Sequence, residues 1–279
     1  MTASKWAMGL TWLVCASTPA HGSGPPVVQL DRSQIKDEAY LRTDTCERLP
    51  ERGRDDSFCD VVALGNRAGW HCTGVVVSPH LVLTARHCRA VTRMAWGHDA
   101  ASPEGVRRVL HRHLPTARHL DVALIELDQP VPIAVHARRT PGDHDAPSTR
   151  LRAVGFGADD PLGLLHGGLK RAVLLDISGD WGCDASRVTG LGCNVFDEFV
   201  LGGQGAADTC DGDSGGPVFE ATDTGWRLVG VVSRPVRNAS SRCGAGGVYT
   251  RMDRVAPWVS NTVEQVEETR RSPAQTEEG

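Results

Sequence analysis

The sequence predicts an all-β chain, folded as a sandwich or barrel and closed by one C-terminal helix. Short apolar runs recur between Gly, Pro and Asp/Asn breaks, and only the last stretch shows a helical period. In order, the runs lie at residues 61–64, 74–77, 81–84, 122–127, 151–154, 172–177, 217–219 and 228–233. Each is too short for a buried helix and is bounded by turn formers, the pattern of a strand with at least one covered face. Val255, Val259, Val263 and Val266 then recur at helical spacing.

The ends of the chain read differently. Lys5, an apolar run at 6–16 and the small residues Ser17, Thr18, Pro19 and Ala20 make residues 1–22 a secretory signal peptide, with an apolar run too short to span a bilayer. Residues 23–45 are polar and aperiodic, a leader or linker, and the charged residues 267–279 form an expected disordered tail. With 34 acidic and 30 basic side chains and a net charge of −4, nothing points to a nucleic-acid or membrane partner. Removing Cys15 with the signal leaves Cys46, Cys59, Cys72, Cys88, Cys183, Cys193, Cys210 and Cys243. An even set in an exported chain indicates a disulfide framework, and the absence of any Cys-x-x-Cys pair argues against zinc. No metal and no cofactor are expected. Eight cysteines alone allow about 105 pairings.

Three segments carry chemistry: residues 83–88 with His87, residues 121–125 led by Asp121, and residues 210–217 (Cys-Asp-Gly-Asp-Ser-Gly-Gly-Pro) with Ser214. Singly they read as an ordinary histidine, a strand-edge charge and a glycine-rich turn. Together, in one order and in a cysteine-rich exported β chain, they are far more specific. On these motifs the sequence resembles the chymotrypsin/trypsin family of serine peptidases, whose order is His, Asp, Ser. Gly155-Phe156-Gly157, residues 247–250 and the closing helix with Trp258 add to the resemblance.

The resemblance implies two antiparallel six-stranded β-barrels, trypsin-like, with a C-terminal helix, in a domain spanning 46–266 and dividing near residue 150. It implies a secreted serine-type endopeptidase, monomeric, acting on protein or peptide substrates. His87 would be the general base and later the acid, Asp121 would hold its tautomer, and Ser214 would be the nucleophile. The amides of Gly212 and Ser214 would form the oxyanion hole. Asp208, six residues before Ser214, would sit at the base of a primary pocket and attract Arg or Lys. The other reading of Asp208 is a solvated loop acid. Ser233 and Gly247 would line the substrate strand and the pocket, and Asp213 would be a structural acid. Cys72–Cys88, Cys183–Cys193 and Cys210–Cys243 are the implied pairs, leaving Cys46 with Cys59.

The sequence also departs from the family pattern. Ser233-Arg234-Pro235 stands where Ser-Trp-Gly is usual, so one amide donor to substrate is lost. Arg234 either swings toward Asp208 or snorkels into water, the second being the usual fate of such a side chain. No Ile-Val-Gly-Gly-like start lies between Gly22 and Cys59, so Asp213 pairs either with an atypical new amine, after cleavage behind Arg42, Arg48, Arg52 or Arg54, or with an internal Arg. Arg86 replaces a small residue and has no account from sequence. Asn238-Ala239-Ser240 is a glycosylation pattern of value only in a eukaryotic source. A reading from a different class is a catalytically silent homologue that binds a partner, favoured by Arg234-Pro235 and the missing start and opposed by the three intact residues. An esterase of another fold would need a different nucleophile turn and triad order.

Overall fold

A computed structural model of the chain describes residues 58–133, 150–158, 168–176, 183, 188–202, 208–222 and 225–271. The expected signal peptide and leader, Cys46, and residues 272–279 of the expected tail lie outside the described residues.

The first six strands are β1 (Val61–Asn66), β2 (Gly69–Ser78), β3 (Leu81–Thr84), β4 (Arg93–Trp96), β5 (Gly105–His113) and β6 (Ala123–Leu127). They close into an antiparallel barrel in the order β1-β2-β3-β6-β5-β4. The second half holds β7 (Arg150–Gly155), β8 (Arg171–Asp176), a short helix α1 (Val188–Leu191), β9 (Glu198–Leu201), β10 (Pro217–Thr222), β11 (Gly225–Pro235) and β12 (Gly247–Arg251). Its strands form an antiparallel six-stranded sheet in the order β8-β7-β10-β11-β12-β9. The chain ends its described part in helix α2 (Met252–Arg271).

The predicted apolar runs sit inside these strands for a simple reason. Strands β1, β3 and β6 are buried along almost their whole length, so continuous Val/Leu/Ile runs suit them. Strand β5 reads Gly-Val-Arg-Arg-Val-Leu-His-Arg-His, half-buried and exposed positions alternate along most of it, and it carries no apolar run. One core cluster joins the two halves. Val61, Val75, Leu83 and Leu124 of the first barrel pack with Val154, Phe219 and Val231 of the second sheet and with Val255, Val259 and Val263 of α2. At about 1.5–3 kcal/mol for each fully buried aliphatic side chain, this shared core is the main term fixing one half against the other.

Three disulfides join Cys72 to Cys88, Cys183 to Cys193 and Cys210 to Cys243. Cys59 is also disulfide-bonded. Its expected pairing with Cys46 falls on a residue outside the described ones.

Helix α2 corrects one expectation. The apolar stripe is its buried face, but the helix does not stop near Val266, and residues 267–271 are helical rather than the start of a disordered tail. Two polar anchors on the first barrel explain the extra turn. Glu267 accepts from Ser78 Oγ at 2.8 Å and meets His80 Nδ1 at 3.1 Å. Arg270 donates to Glu126 Oε1 at 2.8 Å and to the Leu127 carbonyl at 2.7 Å, and Glu126 also meets His113 Nε2 at 2.9 Å. Periodicity of apolar residues carries no trace of such contacts. Burial pushes the Glu126 carboxyl up, but hydrogen bonds from His113 and Arg270 outweigh it and hold the group below its usual 4.5. A carboxyl depressed in the folded state contributes stability above its unfolded pKa and loses it as pH falls through the folded value. We expect Arg270→Ala to cost about 1–3 kcal/mol at neutral pH, because it strips one donor from a buried carboxylate. Urea denaturation should show that cost shrinking as pH drops below about 4.5; a cost that is independent of pH would remove Glu126 from the account.

Candidate active site

Strands β3 and β6 are neighbours, with Thr84 opposite Ala123. The chain leaving β3 and the chain entering β6 therefore emerge side by side, and His87 and Asp121 meet there. The His87 backbone amide donates to Asp121 Oδ1 at 2.9 Å, and ring atom Nδ1 lies 2.8 Å from Oδ2. A carboxylate only accepts, so the proton sits on Nδ1 and Nε2 is left as the basic nitrogen. The His87 side chain is 45% exposed and that of Asp121 18%. The second half contributes Ser233 of β11, whose Oγ donates to the same Oδ2 at 2.6 Å. Burial pushes the Asp121 carboxyl up, yet the hydrogen bonds and charge of His87, with the Ser233 hydroxyl, hold it below the usual aspartate range.

Ser214 sits in the turn just before β10. Its carbonyl accepts from the Thr73 amide at 2.9 Å, and Cys88 Sγ lies 3.4 Å from the same oxygen. The turn is thus pressed against β2 and the segment that carries His87. At Gly215 (φ +83°) a Cβ would come within 2.7 Å of the Ala85 amide and 2.5 Å of the Thr73 carbonyl, so only glycine fits. The Gly215 amide donates to Val232 and the Val232 amide to Gly216, which ties the turn to β11. Gly212 is also left-handed (φ +100°), and its carbonyl accepts from Thr73 Oγ1 at 2.8 Å. Among the described residues the amides of Gly212 and Ser214 donate to no protein acceptor, and no hydrogen bond joins Ser214 Oγ to the His87 ring. That last contact is commonly long in unliganded enzymes and tightens with substrate.

Asp213 turns the other way, into the protein. Its oxygens accept from the Gly157 amide at 2.8 Å and the Cys210 amide at 2.9 Å. A Cβ on Gly157 would lie 2.5 Å from its Cγ, which explains the Gly-Phe-Gly segment as room for this carboxyl. Burial pushes Asp213 up to about 6 despite those amides. Asp208 is half-buried and hydrogen-bonded. It accepts from the amides of Gly246 and Thr209, both at 2.8 Å, and from the Tyr249 hydroxyl at 3.2 Å, and burial raises its pKa. A Cβ on Gly247 would meet that hydroxyl at 2.7 Å.

Two arginines take places that the sequence reading did not give them. Arg234 neither reaches Asp208 nor snorkels: its guanidinium meets both oxygens of Glu198, at 2.6 and 2.8 Å, together with the Gly192 carbonyl at 2.7 Å. The Glu198 side chain is only 5% exposed, so a buried carboxylate captures the charge. That hydrogen bond raises the Arg234 pKa. Pro235 pairs with Gly247 of β12, where β11 has already bulged after Val232. Arg86, which had no account, donates from Nε to the Leu120 carbonyl (2.9 Å) and from Nη2 to those of Pro115 (2.6 Å) and Ala117 (3.1 Å). Carbonyl acceptors leave no sequence motif, so neither role was legible beforehand. Among the described residues no group of three or more His, Cys, Asp or Glu side chains could hold a metal ion.

Comparison with known proteins agrees with this geometry. The family model described as Trypsin matches residues 52–259. The chain is 31% identical to Trypsin iota of Drosophila melanogaster, over 71% of this chain and 81% of that protein. It is 30% identical to Tryptase of Mus musculus, over 69% and 78%, and 27% identical to Kallikrein-14 of Homo sapiens, over 85% and 88%. With a family match over most of its length and an antiparallel barrel packed on a six-stranded sheet, the chain belongs to the trypsin family of serine peptidases.

Proposed function

We propose that the protein is a secreted serine endopeptidase that cleaves after Arg or Lys through an acyl-enzyme. What supports the reading above all is the doubly bonded His87–Asp121 pair beside the Ser214 turn. A serine hydroxyl attacks a carbonyl only when a base takes its proton, and a neutral imidazole is a suitable base near neutral pH. His87, with Nδ1 committed to Asp121, would take the Ser214 proton on Nε2 as Oγ bonds to the scissile carbonyl carbon. Charge would build on the carbonyl oxygen, where the amides of Gly212 and Ser214 are available to receive it. His87 would return the proton to the leaving amine, and water would repeat the sequence on the acyl-enzyme. Asp121 would stabilise the imidazolium throughout without itself taking a proton; in the family's template, losing this residue lowers turnover about 10⁴-fold.

Asp208 is the proposed counter-charge for the substrate's basic side chain. A guanidinium arriving beside a raised carboxyl drives it to the ionised form, so binding and ionisation are coupled. Secretion is proposed from residues 1–22, and no helix among the described residues is long and apolar enough to cross a membrane. Asp213 would order the turn that presents Gly212 and Ser214.

Three outcomes are expected. An alkyl fluorophosphonate should label Ser214 of the mature protein, and Ser214→Ala should lose both the label and at least 10³-fold in kcat/KM; an unlabelled mature protein would identify a silent binding homologue. Asp208→Ser should lower kcat/KM for Arg and Lys substrates by about 10²-fold or more while leaving activity after apolar residues intact, as read from a peptide library; dominant cleavage after apolar residues by the wild type would sink the role given to Asp208. The third concerns Asp213, whose folded pKa lies above its unfolded 3.8. Such a group stabilises fully below 3.8 and loses that contribution as pH rises through about 6. Thermal melts should therefore show the stability of wild type relative to Asp213→Asn declining between pH 4 and 7, and a relative stability that rises instead would contradict the burial argument.

A further inference from the structure

We infer that Arg86 is a positioning residue for the His87–Asp121 pair, an inference that rests on the peptidase reading above. The segment from Leu114 to Leu120 joins β5 to β6 and delivers Asp121 to the site. Three carbonyls of this segment, those of Pro115, Ala117 and Leu120, converge on one guanidinium. Within the segment itself, the Leu120 amide donates to Ala117 at 3.3 Å. Arg86 is the residue before His87, and Leu120 is the residue before Asp121. The clamp therefore ties together the two backbones that hold the interacting side chains, one peptide unit away from each.

The Arg86 backbone is fixed in turn. Its carbonyl accepts a hydrogen bond from Arg112 Nη2, so β5 holds residue 86 while the side chain of residue 86 holds the segment following β5. Burial, together with the charges of Arg86 and Arg89, lowers the Arg112 pKa. Neutral carbonyls take three of the five Arg86 donors without cancelling its charge. A planar fork with five donors suits three carbonyls at different angles, whereas an ammonium has three donors and no fixed plane.

The consequence is geometric. Asp121 is useful only if Oδ1 meets the His87 amide and Oδ2 meets Nδ1 and Ser233 at the same time, distances of 2.9, 2.8 and 2.6 Å. Freeing the Leu120 carbonyl releases the peptide that sets the Asp121 Cα. A misplacement of about 1 Å costs on the order of 10²-fold in rate. The primary pocket at Asp208 lies in the other half of the molecule, so substrate affinity is not expected to follow.

The experiment measures kcat and KM separately for wild type, Arg86→Ala and Arg86→Lys on a chromogenic peptide amide, with active sites counted by fluorophosphonate titration. Expected is a fall in kcat per titrated site of about 10²-fold for Arg86→Ala, KM within twofold, and only partial recovery by Arg86→Lys, whose ammonium lacks the fork that reaches all three carbonyls. Unchanged kcat per site in Arg86→Ala, even with a lower Tm or fewer titratable sites, would make the clamp purely structural and overturn the inference alone. A wild-type protein that neither turns over nor titrates overturns this inference together with the peptidase reading.

Discussion

Everything at the site depends on the pairing of β3 with β6. Because Thr84 faces Ala123, the three residues that continue β3 and the two that precede β6 are forced alongside each other, and His87 meets Asp121 twice, through amide and ring. The second half of the molecule then has to arrive in register, since it supplies both the Ser233 hydroxyl and the Ser214 turn. Polar contacts across the boundary contribute about 1 kcal/mol each, less than one well-buried valine. The apolar cluster shared by both halves and by α2 is therefore what holds the polar geometry, and the hydrogen bonds report that alignment more than they create it.

Three half-buried aspartates show what decides the state of a carboxyl here. Asp121 is held low because an imidazole and a hydroxyl outweigh its desolvation. Asp213 and Asp208 are raised because their backbone amides, joined at Asp208 by the Tyr249 hydroxyl, do not outweigh burial. The difference suits the proposed roles. A carboxylate that must steady a transient imidazolium is kept charged in advance, whereas one that awaits a substrate's cation is left for that cation to ionise.

Much of this was legible in the sequence, and the limits are physical. Glycines 155, 157, 212 and 215 appear in motifs because backbone and Asp213 approach so closely that any Cβ collides. The helix was legible from its valines, whose period follows the buried face, but its last turn was not, because Glu267 and Arg270 bond to partners 143 and more residues away. Strand β5 escaped because five of its nine residues are arginine or histidine and its few apolar residues form no run. The site's motif residues could be named through the family resemblance that their motifs carry; Arg86, Arg234 and Glu198 could not, since nothing local in the chain records a carbonyl or a carboxylate brought near by folding.

The departures from the family pattern are also those where the chain supplies its own compensation. Arg234 occupies an apolar residue's usual place, and its guanidinium, although 41% of the side chain is exposed, has a fixed partner. Glu198 provides it from β9, which reaches β11 only through β12, so this pair spans the strand between them. Pro235 lacks a donor, and it stands beyond the bulge where the ladder of β11 is already irregular. Arg86 brings a long charged side chain next to the proposed base, and three carbonyls absorb its donors. In each case the unusual residue is bound into the scaffold rather than left in the cleft. That is the arrangement expected if the substitutions reshape how substrate is held while leaving intact the line from Asp121 through His87 toward Ser214.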